Sequence, residues 1–284
     1  WQHSNNMTRG TLLCWRHRQR DAMKTGASKG KGPLYFEYED RKITVNIADR
    51  AQLEREVLAR LSAKRGFSLA TINLDHMAKL EQDAEFLAAY AAQDLVVADG
   101  RPVVWLSQLA RRPVHLMPGS DMVIPLCRMA AETGASVSLV GSTSQALSDA
   151  QEALLAAVPG MEVTWCHAPS GVFDPESEEA ADILTELAER QVGLCFLALG
   201  APKQERLAAR GRILAPKVGF ASVGAGLDFL GGHQRRAPLW LRRMALEWLW
   251  RALSNPIRMV PRYLKCVGIL PRQIRAALRL RRTL

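Results

Sequence analysis

Two polar clusters that follow apolar runs could place a base beside a reacting hydroxyl. Asp99, with Gly100 after it, comes directly after the run at 95–98, while Thr71 and Asn73 stand at the end of the run at 68–72. A carboxylate at a strand end can project into a crevice and act as a general base. An Asp-Gly turn or a helix cap explains the same residues without chemistry, so both interpretations stay open.

Three glycine-containing segments are typical of a site that binds a nucleotide. Residues 141–143 read Gly-Ser-Thr, residues 200–205 read Gly-Ala-Pro-Lys-Gln-Glu, and residues 223–228 read Val-Gly-Ala-Gly-Leu-Asp. A strand that ends in glycine before a helix leaves N–H groups free for a phosphate. Helix capping and glycine-rich turns explain each segment equally, but their repetition favours a nucleotide site. The candidate binding residues are Gly141, Gly200, Lys203, Gln204, Glu205, Gly224 and Asp228.

Several familiar catalytic signatures are absent from the sequence. It contains no GxxxxGK[ST] or HExxH pattern and no Asp-x-Asp pair, and residues 224–226 lack the third glycine of a dinucleotide fingerprint. The six histidines show no ligand-like spacing. We therefore expect neither a catalytic metal nor a bound cofactor.

Short apolar runs alternate with helical patterns from residue 42 onward, and these elements must position the polar clusters. We predict strands at 43–47, 68–72, 95–98, 137–140, 162–165, 193–199 and 218–223, and helices at 50–63, 75–91, 120–131, 145–157, 175–189 and 203–210. The alternation predicts an α/β fold with a Rossmann-like, mostly parallel sheet and helices on both faces. Asp-Pro-Glu at 174–176 is a predicted helix start.

The charge distribution divides the chain into three predicted parts. The total of +10 comprises +6 in residues 1–32, −8 in residues 33–232 and +12 in residues 233–284. We interpret these parts as a basic leader, a catalytic core and a helical appendage. An acidic core would repel a polyanion, which argues against nucleic acid as a partner.

The appendage has the composition of a helix that lies on an anionic membrane. It carries Trp240, Trp248 and Trp250 among arginines, and Arg272 and Arg275 belong to a second basic stretch that Pro261 and Pro271 should interrupt. Packing of the tryptophans on the core explains the first stretch equally well. Exposed apolar faces would also favour a homo-oligomer away from the membrane.

The longest apolar run is too short to span a bilayer. The scattered cysteines suit a reducing, cytosolic compartment.

Taken in order, the motifs resemble the WecG/TagA/CpsF glycosyltransferase family, which has a GT-E type fold. The resemblance extends from about residue 68 to residue 263. It is carried by Thr71-x-Asn73, Ala98-Asp99-Gly100, Pro118-Gly-Ser-Asp121, Leu139-Val-Gly141, Gly200-Ala-Pro-Lys-Gln-Glu205, Val223-Gly-x-Gly-x-Asp228, Arg236-Ala-Pro238, Glu247-Trp-Leu-Trp-Arg251 and Pro256-x-Arg258-x-x-x-Arg262-Tyr263.

This resemblance implies an inverting, metal-independent transfer from a UDP-sugar to a polyprenyl-pyrophosphate-linked sugar, by a peripheral protein on the cytoplasmic face of the inner (plasma) membrane. It implies that Asp99 is the general base and that Thr71, Asn73 and Gln204 line the catalytic pocket. Gly141, Gly200 and Asp228 would contact the nucleotide. The diphosphate would be bound by Arg251, Arg258 and Arg262, with Arg236 among the substrate-binding residues.

Two other classes of function stay open. Another α/β nucleotide enzyme, such as a dehydrogenase, shares the fold, although the missing third glycine argues against it. A non-enzymatic module that binds membrane or nucleic acid fits the net charge, although the clustered pocket residues argue against it. The donor could carry N-acetylmannosamine, its uronic acid or glucose.

Overall fold

The computed structural model describes residues 32–39, 41–234, 237–238, 241 and 247–283, apart from the side chains of residues 247, 248, 251 and 258. Residues 33–283 form one unit by their contacts. The predictions about the leader at 1–31, about Arg236 and Trp240, and about the side chains of Trp248, Arg251 and Arg258 lie outside the described residues.

A six-stranded parallel sheet lies at the centre of the fold. In chain order its strands are β3 (Phe67–Ile72), β4 (Leu95–Ala98), β5 (Val137–Gly141), β6 (Val163–His167), β7 (Leu194–Ala198) and β8 (Gly219–Ser222), and their spatial order is β4-β3-β8-β7-β5-β6. A separate antiparallel hairpin precedes the sheet, with β1 (Leu34–Tyr38) paired to β2 (Arg41–Val45). The four central strands are built largely from apolar residues because helices cover both faces.

The helices connect the strands and cover the sheet. They are α1 (Arg50–Ser62), α2 (Leu74–Leu80), α3 (Ala84–Ala91), α4 (Arg101–Leu109), α5 (Gly119–Thr133), α6 (Ser144–Ala157), α7 (Glu178–Glu189), α8 (Lys203–Leu214), α9 (Gly226–Leu230), α10 (Glu247–Ser254) and α11 (Pro256–Arg282). On β7, Leu194 and Phe196 join the core under α1, α5 and α6, whereas Cys195 and Leu197 face α7 and α8. The predicted α/β class, with a parallel sheet between two helical layers, is confirmed.

Several predicted boundaries are wrong for local reasons. The helix predicted at 75–91 is two helices: the first ends at Leu80, and Asp83 Oδ1 accepts from Phe86 N–H at 2.8 Å to cap the second. The start predicted at 174–176 lies three residues later, where Ser177 caps α7. Helix α4 was not predicted, because residues 103–106 form a continuous apolar run, and strand β1 was not predicted, because it precedes residue 42, where the predicted alternation begins.

The C-terminal helix α11 has one buried face and one exposed apolar face. Contrary to prediction, Pro261 and Pro271 do not interrupt it. Cys266, Gln273, Ala277 and Leu280 are buried, and the last two join the core beside β1 and β2. Burial of this face offsets the roughly 3 kcal/mol that an interior proline costs a helix. The exposed side carries Ile257, Val260, Leu264, Val267, Ile274 and Leu278.

Candidate active site

The predicted site residues gather where the parallel strands end. Because all six strands point the same way, the residues after β3, β4, β5, β7 and β8 meet at one edge of the sheet, here named the carboxyl edge. Strands β5 and β7 are neighbours in the sheet. After β5 the chain returns to the sheet as β6, on the far side of β5 from β7, and after β7 it returns as β8, on the far side of β7 from β5. The loops after β5 and β7 therefore diverge and leave the kind of crevice in which open α/β sheets bind ligands.

Asn73 holds Asp99 at this edge. Ile72 of β3 is in register with Ala98 of β4, so the next residues of the two strands are neighbours. The Asn73 Nδ2 donates to Asp99 Oδ2 at 3.2 Å, and Asn73 Oδ1 accepts from the His76 N–H at 3.1 Å, which caps α2. Both ends of the amide are occupied, so the asparagine links the helix start to the carboxylate.

Thr71 lies two residues before Asn73 on the same side of β3, because side chains alternate along a strand. Its side chain is buried, and its carbonyl oxygen accepts from the Tyr90 hydroxyl at 2.6 Å. That bond ties β3 to α3. Tyr90 was not among the predicted site residues, since nothing in the local sequence pairs it with Thr71.

Gln204 joins the start of α8 to the end of β8. Its Oε1 accepts from the Gly224 N–H at 3.1 Å. Gly200 and Gly224 have φ angles of +72° and +55°, and a Cβ added at either would meet no atom within 4 Å. Both glycines thus border open space on either side of Gln204, and the half-buried Lys203 is the first residue of the helix between them.

Glu205 is placed differently from its neighbours. Its side chain has 0% exposure, and its Oε1 accepts from Gln204 Nε2 at 2.8 Å. Burial raises the pKa of this carboxyl to about 7. The nearby His76 Nε2 lies 4.0 Å from Glu205 Oε1, and burial lowers the pKa of His76 to about 4. The substrate contact that was predicted for Glu205 would have to pass through Gln204.

Asp228 links the loop after β5 to the segment after α9. Its two carboxylate oxygens accept from Ser142 Oγ and, at 2.9 Å, from Gln234 Nε2. Ser142 and Gln234 were not predicted as site residues, although Ser142 belongs to the Gly-Ser-Thr segment at 141–143. Gly141 itself is required by packing, because a Cβ there would lie 2.5 Å from the Ala198 carbonyl carbon.

Arg262 brings α11 to the carboxyl edge. Its Nε lies 2.7 Å from Asp75 Oδ1, and Lys79 Nζ lies 2.9 Å from the other Asp75 oxygen. Burial raises the pKa of Asp75, but the two cations outweigh it and hold the pKa below its usual range. Asp75 is two residues from Asn73, so the two cations lie near the end of β3.

The predicted membrane residues that the structure describes lie on the last two helices. Trp250 on α10 is half-buried, and Arg275 on α11 is exposed. Arg272 is 61% exposed, with its Nη1 3.3 Å from Glu81 Oε1. No helix within the described residues is long and apolar enough to cross a bilayer, and no group of three or more His, Cys, Asp or Glu side chains there is arranged to hold a metal ion.

Comparison with known proteins gives the family. A family model described as "Glycosyl transferase WecG/TagA/CpsF family" matches residues 41–283. A relative from Bacillus spizizenii strain W23, named N-acetylglucosaminyldiphosphoundecaprenol N-acetyl-beta-D-mannosaminyltransferase, is 26% identical over an alignment of 213 residues that covers 73% of this chain and 80% of the relative. The match covers the sheet, the carboxyl edge and α11. The chain therefore belongs to the WecG/TagA/CpsF family of glycosyltransferases.

Proposed function

We propose that this enzyme transfers an N-acetylhexosamine or hexose from a UDP-sugar to a sugar linked to a polyprenyl diphosphate, in the synthesis of a bacterial surface or exopolysaccharide. One observation carries the proposal: Asp99, held by Asn73, stands at the same edge as the open glycine positions around Gln204. The name of the relative favours N-acetylmannosamine as the sugar and N-acetylglucosamine as its acceptor.

Asp99 acts as the general base in this proposal. Its carboxylate takes the proton of the acceptor hydroxyl while the oxygen attacks the anomeric carbon. The bond to UDP breaks on the opposite side, so the configuration inverts. The Asn73 amide orients the carboxylate by donating to its Oδ2. General base catalysis of this kind contributes about 10²–10⁴-fold.

The departing UDP carries charge that the protein must stabilise. Arginine suits this task because its planar guanidinium binds phosphate oxygens at two points. Arg262 already lies at the carboxyl edge beside Asp75, and we propose Arg236, Arg251 and Arg258 as further ligands of the diphosphate. With these cations we propose that the reaction proceeds without a metal ion. Gly141, Gly200, Lys203, Gly224 and Asp228 would hold the nucleotide.

The exposed side of α11 is proposed to lie on the membrane that holds the acceptor. Its six apolar side chains, here named the outer stripe, recur at intervals of three, four or seven residues, opposite the buried face. The stripe is Ile257, Val260, Leu264, Val267, Ile274 and Leu278. Eight basic residues belong to the same helix and contribute to the +12 of residues 233–284, which suits anionic lipid. In a pair of these helices the same charges would repel each other. The enzyme would then be peripheral, on the cytoplasmic face of the inner membrane.

A transfer assay on the full chain tests this function. Vesicles that carry polyprenyl-diphosphate N-acetylglucosamine are incubated with the UDP derivative of N-acetylmannosamine, its uronic acid or glucose, with and without a chelator, and the lipid product is weighed by mass spectrometry. We expect a product one sugar heavier with one donor, unaffected by the chelator. Binding of NAD or nonspecific DNA without binding of UDP would overturn the proposal.

A further inference from the structure

Glu205 is a buried carboxylate that is only half satisfied. Its Oε1 accepts from Gln204 Nε2 at 2.8 Å, while its Oε2 has no hydrogen-bond partner among the described residues. The backbone of the same residue is also fixed, since its carbonyl oxygen accepts from Gln93 Nε2 at 3.0 Å. A carboxylate in such a place costs folding free energy, so its presence calls for a role that an uncharged side chain does not fill.

The neighbouring amide shows what the carboxylate does. The NH₂ end of Gln204 donates to Glu205, and its oxygen accepts from the Gly224 N–H at 3.1 Å. An ionised carboxylate can only accept a hydrogen bond, and a backbone N–H can only donate one. Only one of the two orientations of the amide therefore satisfies both neighbours.

The geometry points to Glu205 as a positioning residue, whose ionised carboxylate fixes the Gln204 amide and, through it, the Gly224 end of β8. The inference rests on the proposed function for its effect on turnover. Gly224 borders open space, so the backbone held in this way is a surface that a nucleotide-sugar can approach.

The charged groups around Glu205 act on its pKa in opposite directions, since Lys79 lowers it and Asp75 raises it. Asp75, His76 and Lys79 face it from α2, and Tyr90 faces it from α3. Arg262 of α11 contacts Asp75 on the far side. His76 is neutral near pH 7, because burial lowers its pKa to about 4. Since burial raises the pKa of Glu205 to about 7, the ionised form that orients Gln204 predominates above neutrality.

A nuclear magnetic resonance titration tests the positioning directly. The full chain is labelled with ¹⁵N-glycine, and the Gly224 amide peak is assigned from its loss in Gly224→Ala. In the unmodified protein we expect this peak to shift with a midpoint near pH 7. Glu205→Gln should move the peak and abolish the titration. Glu85→Gln is the matched control, since Glu85 of α3 is an exposed carboxylate that pairs with Arg206, the residue after Glu205 on α8.

Turnover and stability give the second readout. We expect Glu205→Gln to lower kcat about tenfold or more at pH 8 with less than a threefold change in the KM of the donor, and to keep or raise Tm. A merely structural residue would lower Tm when substituted. If the unmodified protein transfers no sugar from any donor, the proposed function fails, while the Gly224 titration still decides the inference. A Gly224 peak that does not titrate near pH 7, or that is unchanged in Glu205→Gln, overturns the inference.

Discussion

The carboxyl edge and the outer stripe of α11 differ in the side chains that they present: the edge is polar and paired, and the stripe is apolar and exposed. At the edge, polar side chains are paired in fixed orientations, as in the contact between Asn73 and Asp99. On the stripe, large apolar side chains face outward, with Ile257 at 91% exposure. In the proposed function, the first region needs precise donors and acceptors because it would act on bonds. The second would need only apolar area and nearby positive charge. Substitutions at the edge should therefore change turnover, and substitutions on the stripe should change where the enzyme works.

The largest effect is expected at Asp99. Asp99→Asn keeps the shape of the side chain and removes its ability to take a proton. Turnover should fall by about 10²–10⁴-fold, while UDP affinity, measured by calorimetry, stays within about threefold of the original value.

Asp182→Asn is the matched control, because Asp182 is an exposed carboxylate in the middle of helix α7. Turnover of Asp99→Asn close to that of this control would show that Asp99 is not the base.

The next largest effect on catalysis is expected at Arg262, the cation that α11 places at the carboxyl edge. Arg262→Gln should lower kcat/KM for the donor by roughly 10–100-fold, since a hydrogen bond to a charged group contributes about 1.5–3 kcal/mol. Steady-state kinetics with varied UDP-sugar measures this. Lys265→Gln serves as control, because Lys265 is an exposed cation on the same helix. Equal losses in the two variants would indicate a general charge effect instead of a contact with the diphosphate.

A smaller effect is expected on the outer stripe. The double change Leu264→Gln and Val267→Gln should weaken binding to anionic vesicles about tenfold, because apolar burial contributes roughly 25 cal/mol per Å². Flotation measures the bound fraction. Val172→Gln with Ile213→Gln is the control, since these residues are 92% and 78% exposed on the core. Unchanged flotation, together with loss of a dimer in sedimentation, would assign the stripe to a second copy of the chain.

The smallest effect is expected on the pH dependence of stability, to which two buried groups contribute in opposite directions. Glu205 has its pKa raised from 4.5 to about 7, so its contribution to stability is lost as pH rises through this interval. His76 has its pKa lowered from 6.5 to about 4, so its contribution is lost as pH falls through that interval. Between pH 4.5 and 6.5 the two slopes, about 1 kcal/mol per pH unit each, cancel.

Urea unfolding across this range checks the cancellation. Glu205→Gln should become more stable as pH rises from 4.5 to 6.5, and His76→Gln should become less stable. Parallel curves for both variants and the unmodified protein would contradict the assignment of these two groups.

The sequence predicted the sheet well because its buried strands are continuous apolar runs, and it predicted the carboxyl edge because polar residues follow those runs. It could not show that Glu205 is buried, since that depends on α2 and α3 packing over the start of α8. It also could not show that α11 continues through Pro261 and Pro271, because tertiary burial of Ala277 and Leu280 offsets the cost of the prolines.

The same packing changes how the C-terminal part should be tested. The division at residue 232 stays a prediction. Because Ala277 and Leu280 belong to the core beside β1, deletion of residues 233–284 would remove core contacts together with the basic helix. Point substitutions on the outer stripe leave the buried face intact and therefore separate the two roles.

The most direct test of the division between edge and stripe is the transfer rate on two acceptors, one embedded in anionic vesicles and one made water-soluble by a short lipid chain. The account predicts that the variant with Leu264→Gln and Val267→Gln keeps the original rate on the soluble acceptor and loses about tenfold on vesicles. Asp99→Asn should lose the same large factor on both. A stripe variant that loses equal activity on the two acceptors would contradict the account.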